Sequence, residues 1–159
     1  MSLLHYFEAL EASPIGVFVK DKAATFAIIE AVHLMALALL GAAVLSADLR
    51  LLNVVLRDVP SNTVTDQAHR WFKWALAALL VTGFFMLAGV ATKCYHNPFY
   101  WAKMIALAIG IVFVFAIRAP LLRKDHAQIN PWTLRLMALA SMTIWVLVAS
   151  SGRWIGFSG

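Results

Sequence analysis

Four stretches of the chain are long apolar runs, each near the roughly 20 residues that a helix needs to cross the hydrocarbon core of a bilayer. They run from about 23 to 45, 71 to 91, 99 to 117 and 132 to 149. The first carries only Glu30 and His33 as ionisable groups, and the others hold Lys73, Lys103 and Arg135 near their starts. Asn97-Pro98 and Asn130-Pro131 each place a capping side chain ahead of a proline at the first helical position, where no amide hydrogen is missed. Pro60 with Ser61, Asn62 and Thr63 ends one helix and prepares the next, and Pro120 is expected to close the third span just after Arg118. Leu49, Leu52, Val55 and Leu56 keep helical spacing beyond the first span and predict an amphipathic extension of that helix. Leu3, Phe7 and Leu10 form an apolar stripe beside Glu8 and Glu11, and Ser13-Pro14 reads as a second helix start. The residues before Lys20 are therefore expected to lie at the membrane interface.

Composition narrows the class. Hydrophobic residues make up 62% of the 159 and charged residues 13%, against about 45–50% and about 25% in soluble domains. A soluble fold of this size would have to build its surface from apolar side chains. Disorder is excluded on the same ground, and a single cysteine excludes a disulfide scaffold. The expectation is an all-α, integral membrane four-helix bundle over residues 1–159, with an interfacial N-terminal helical segment and no cleavable signal.

Charge sets the direction. Arg50, Arg57, Arg70, Lys73, Arg118, Arg123, Lys124 and Arg135 flank one side of the membrane; Lys20, Lys22, Lys93, Lys103 and Arg153 flank the other. The richer side belongs in the cytoplasm, which puts both termini in the periplasm. Trp71, Trp74, Trp101, Trp132 and Trp154 fall at the interfaces, and Trp145 alone is deep. The net charge of +5 is spent at span ends against lipid headgroups, with no basic run interleaved with aromatics, so nucleic acid is not an expected partner.

Polar groups at depth are the candidates for function. Counting about 100° per residue from Glu30, the residues His33, Leu37, Gly41 and Asp48 fall on one stripe of the first helix. Glu30 and His33 have the Glu-x-x-His spacing that aims two side chains at one metal in di-iron bundles. The bland alternative is a Glu30–Lys103 ion pair, with Asp48 pairing to Arg118 or Arg135, all serving to lock helices. For haem b, only His33 is deep; His69 and His96 sit at opposite interfaces, and His5 and His126 lie outside the spans. Met142 is the one methionine near the depth of His33, ordinary core packing being its simpler role. Arg153, in Gly152-Arg153-Trp154-Ile155-Gly156, is placed to meet haem propionates or an anionic lipid, or to serve as a belt anchor. Cys94 and His96, with His5 folded over them, make a weak copper set. No nucleophile elbow, phosphate loop or zinc signature is present, so no catalytic residue is nominated.

Several stretches resemble a bacterial inner-membrane family known as a domain of unknown function. They are Glu30 through Leu34, Gly41, Asp48 through Leu52, Thr82-Gly83, Asn97 through Lys103, Ser141 through Trp145 and Gly152 through Ile155. More loosely, the first helix is similar to that of the CopD copper-resistance membrane proteins and of four-helix b-type cytochromes. The resemblances imply a bacterial inner-membrane location and, for the looser ones, copper or haem b, beside the iron that the Glu-x-x-His spacing suggests. The residues thus admit three functions: a bundle that binds a redox cofactor or metal at Glu30 and His33 for a membrane partner, a cofactor-free accessory or scaffold subunit (in a complex or a homo-oligomer), and an ion or proton conductor along Glu30, His33 and Asp48.

Overall fold

The computed structural model describes residues 3–123 and 128–158; Lys124 and His126 lie outside the described residues. The described chain is helical: α1 Leu3–Glu11, α2 Pro14–Asp21, α3 Ala23–Leu51, α4 Ser61–Gly89, α5 Ala91–His96, α6 Pro98–Leu122 and α7 Pro131–Phe157. Four of these, α3, α4, α6 and α7, are long and apolar enough to cross a membrane.

The start signals act as local chemistry dictates. Ser13 Oγ accepts from the Gly16 amide, Asn97 Oδ1 from Phe99 and Asn130 Oδ1 from Trp132, each cap followed by proline. Asn97 does more than cap, because its Nδ2 also donates to Ser158 Oγ at 2.9 Å and ties the start of α6 to the end of α7.

Two helix ends differ from expectation. The extension through Leu56 does not form, because α3 stops at Leu51 and Asn53 enters the left-handed region at φ 60°. The Asn53 amide returns to Arg50 O and the Val54 amide to Leu49 O, a Schellman ending that satisfies the last carbonyls. Arg50 then staples the loop through Val59 O, Asn53 Oδ1 and Arg57 O. Pro120, conversely, does not stop α6, which runs on to Leu122. Phe113–Arg118 widens into a π-helical turn just upstream. A proline in a helix interior removes one amide donor and crowds the carbonyl four residues back, and a widened turn accommodates both.

α3 buries Ala36, Leu40, Ala43, Val44, Ala47, Asp48 and Leu51, a stripe at three- and four-residue spacing. Its Leu40, Ala43, Val44 and Ala47 meet Ala68, Phe72, Ala75 and Leu76 of α4 in a core completed by Val114, Trp145 and Val148. The Trp145 indole lies edge-on to Phe72 at 5.1 Å and packs over Gly110, where α6 and α7 approach closely. α3 packs on α4 and on α7, and α6 packs on α7, whereas the backbones of α4 and α6 scarcely meet. The bundle is therefore a curved row, α4–α3–α7–α6, with a gap between its outer members.

Outward faces are apolar. Met35 is 72% exposed and Ile105 61%, a display that water would penalise and hydrocarbon accepts. The N-terminal helices fold back over one end. Glu11 receives the Thr92 amide at 2.8 Å and pairs with Lys20 at 2.6 Å, and Phe7 packs among Tyr95, Tyr100 and Trp101.

Candidate functional site

The polar residues of the spans fall into two groups at opposite ends of α3. His33 and Asp48 are fifteen residues apart, about 22 Å along a helix. Leu40, Ala43 and Val44 fill the buried face between them.

At the first end, His33 turns inward and its Nδ1 lies 2.8 Å from Thr82 Oγ1. That hydroxyl already donates its hydrogen to Ala78 O at 2.7 Å. With the hydroxyl hydrogen on Ala78 O, its oxygen accepts from a protonated His33 Nδ1, and the Nε2 lone pair is free of partners among the described residues. Gly83 leaves the ring room; a Cβ there would stand 3.4 Å from His33 Cε1.

Glu30 is exposed on the outside of α3. Three residues of helix rotate it about 60° from His33, and it lies beside Ala27, Ala31, Leu34 and Ala38, all exposed. Among the described residues no ion pair joins Glu30 to Lys103. The half-buried Lys103 instead lays its chain over Gly152, 3.5 Å from where a Cβ would stand. Met142 is half-buried on α7, and Arg153 is exposed with its guanidinium 4.7 Å over the Phe157 ring. Burial pushes the Cys94 thiol up, which disfavours the thiolate that soft metals need. His96 is occupied with Thr92 O and His5 is exposed beside Tyr6. Among the described residues no three His, Cys, Asp or Glu side chains converge as a metal site.

At the other end, Arg118 Nη2 meets Asp48 Oδ1 at 2.6 Å, and Arg118 Nη1 donates to Ser141 Oγ at 2.8 Å. Asp48 and Ser141 are fully buried and Arg118 is 8% exposed. One guanidinium thereby joins α3, α6 and α7. Arg135, the other candidate partner for Asp48, stacks over Trp132 instead. The Asp48 contact is close but poorly aligned, and neither carboxylate oxygen has a well-directed donor among the described residues.

Beside this pair lies a cavity of about 210 Å³ between α3, α4 and the end of α6. Thr65, Asp66, His69, Lys73, Arg118 and Arg123 form its polar wall, and Ala43, Val44, Phe72 and Val114 its apolar floor. The His69 ring bridges the α4–α6 gap, stacked on Phe72 and edge-on to Phe115 at 5.8 Å. Read along the sequence, Lys73 and Arg123 mark only membrane orientation and Arg118 stands as a candidate partner for Asp48; their meeting beside His69 needs the α4–α6 gap, which no local pattern encodes. The one sequence signal was their shared side of the membrane.

Together the spans, the lipid-facing apolar surface and the buried charge lock define a multi-pass helical membrane protein. The family model described as family of unknown function (DUF6644) matches residues 6–158, and the chain belongs to that family. No curated protein and no solved structure matches the chain.

Proposed function

We propose that this chain is an accessory subunit of a bacterial inner-membrane complex, with both termini periplasmic, docked on its partner through the outward face of α3. The observation that carries this is Glu30, a carboxylate exposed about two turns inside α3 among Ala27, Ala31 and Ala38, with Leu34 one turn on. Intramembrane charges ordinarily turn toward a bundle interior or a partner group, and alanine faces let a second helix approach closely. A partner helix presenting a cation or hydrogen-bond donor satisfies both features. Photo-crosslinking from Leu34 in native membranes tests it. A discrete protein adduct, lost in Glu30→Leu but retained in a variant of Ile109 on α6, supports the reading. Adducts to lipid alone, with Glu30→Leu raising the stability of the isolated chain, would overturn it.

A second reading is favoured by the His33 tautomer. A protonated Nδ1 held by Thr82 and a bare Nε2 is the arrangement that orients an imidazole toward a metal. In that reading His33 is the single protein ligand fixed by its own bundle to a haem iron or a copper or iron ion, with Glu30, Met142 and Arg153 as the residues to test beside it. A reduced-minus-oxidised spectrum and metal analysis of detergent-purified protein decide it. Stoichiometric absorbance or metal that disappears in His33→Ala supports this reading, and a colourless, metal-free preparation from cofactor-replete cells refutes it.

A further inference from the structure

The cavity beside Arg118 is built unlike the rest of the bundle. Three cations, Lys73, Arg118 and Arg123, line it with one carboxylate, Asp66. Asp48, the other acid nearby, is fully buried behind Arg118 and does not line it. A guanidinium carries five N–H donors; Asp48 and Ser141 engage two Arg118 nitrogens, so hydrogens remain for a ligand. Those two contacts also fix the guanidinium before any ligand arrives. The Thr65 hydroxyl already donates to backbone carbonyls, leaving its oxygen as an acceptor, and His69 lines the same cavity as Asp66, Lys73, Arg118 and Arg123.

We propose that this cavity binds a phosphate group. The chemistry is that of an oxyanion, which takes charge-assisted hydrogen bonds from arginine in fork geometry and point charge from lysine. Size agrees: about 210 Å³ is more than ten times the roughly 10–15 Å³ that admits one water, enough for a phosphate and part of its substituent. Position favours a phospholipid headgroup over free phosphate. The cavity sits at the end of the bundle richer in lysine and arginine, and basic pockets between spans on that side are where anionic headgroups are held. Its apolar floor and the α4–α6 gap, with Phe115 exposed beside it, offer hydrocarbon a path away from the headgroup.

The test is native mass spectrometry of the full chain from detergent, titrated with phosphatidylglycerol, phosphatidylcholine or inorganic phosphate. Lys73 and Arg123 are exposed, so Lys73→Gln/Arg123→Gln leaves the fold intact. Lys93→Gln/Arg153→Gln, exposed at the opposite end, is the control. The expected result is one phosphatidylglycerol retained per chain in preference to phosphatidylcholine, weakened at least about tenfold in the Lys73/Arg123 variant and unchanged in the control. Displacement of that lipid by millimolar phosphate would show that the phosphate group itself is recognised. Binding of phosphate without selective lipid retention, lost in the same variant, would support the site with free phosphate as its source. Lipid retention that is unweakened in the Lys73/Arg123 variant, or equal weakening in both variants, would overturn the proposal. None of these outcomes depends on whether α3 docks a partner.

Discussion

Removing Arg118 should leave a bare carboxylate at a fully buried position of the fold. Asp48 is fully enclosed, and Arg118 Nη2, 2.6 Å away, is its ion-pair partner. Two unit charges about 4 Å apart attract by about 4 kcal/mol at an effective dielectric of about 20. Breaking a buried pair by removing one member costs about 3–5 kcal/mol, because the other charge stays buried. Arg118→Met should therefore destabilise the chain by about 3–5 kcal/mol. Asp48→Leu should cost less, about 2 kcal/mol, because the freed guanidinium already borders the cavity and can turn into it. The informative variant is the double, Asp48→Leu/Arg118→Met. Neither Asp48 oxygen has a well-directed donor, so the native pair offsets its desolvation incompletely, and apolar replacement should restore or exceed wild-type stability. Unfolding by a titration of denaturing detergent, followed by tryptophan fluorescence and circular dichroism, gives the four corners of the cycle. A double variant less stable than either single one, or Arg118→Met costing under about 1 kcal/mol, would show that the pair is not the lock described.

Three further outcomes follow from particular contacts. Lys20, then the Thr92 amide, hold the Glu11 carboxyl at about 2, below its ordinary value of 4.5. A depressed carboxyl stabilises the fold above its unfolded value, so docking of α1 and α2 should weaken progressively as pH falls from about 4.5 toward 2, read as rising protease access to Ser13 and abolished by Glu11→Gln. Gly16→Ala should undock the same helices, because a Cβ would crowd Glu11 O and stand 2.7 Å from Leu10 O and 2.8 Å from Ala88 O; a cost of about 1–3 kcal/mol is expected, and a neutral result would refute the close approach. Thr82→Val leaves the His33 Nδ1–H without its acceptor and should cost about 1–3 kcal/mol in thermal unfolding, with Thr82→Ser near wild type.

Much of the fold was legible because membrane insertion leaves few alternatives: backbone groups must pair within each span, so four apolar runs become four helices. Caps were equally local, and Ser13, Asn97 and Asn130 each bond the amide their position predicts. The helix ends were less legible where two signals compete. Leu52, Val55 and Leu56 keep a helical rhythm, yet Asn53 tolerates the left-handed turn that ends α3. Pro120 looks like a stop, yet the chain absorbs it by widening the preceding turn.

The candidate site was legible only as an inventory of charges. Periodicity placed Glu30, His33 and Asp48 on one stripe of α3, but a stripe about 60° wide spans the boundary between inside and outside. Glu30 and Asp48 share the same helical phase, being eighteen residues apart, five turns, and end in opposite environments. The difference lies in the other helices: α6 and α7 cover the flank of α3 at Asp48, where Arg118 and Ser141 arrive, and leave it bare at Glu30. The same arrangement, a row rather than a closed ring, opens the gap between α4 and α6 that the cationic cavity occupies. The uncovered acid at one end and the paired acid at the other thus follow from which helices reach α3 at each level. Where the backbones of α4 and α6 part, the His69 and Phe72 rings still meet Phe115, so the gap is an opening lined by side chains and not a break in the core.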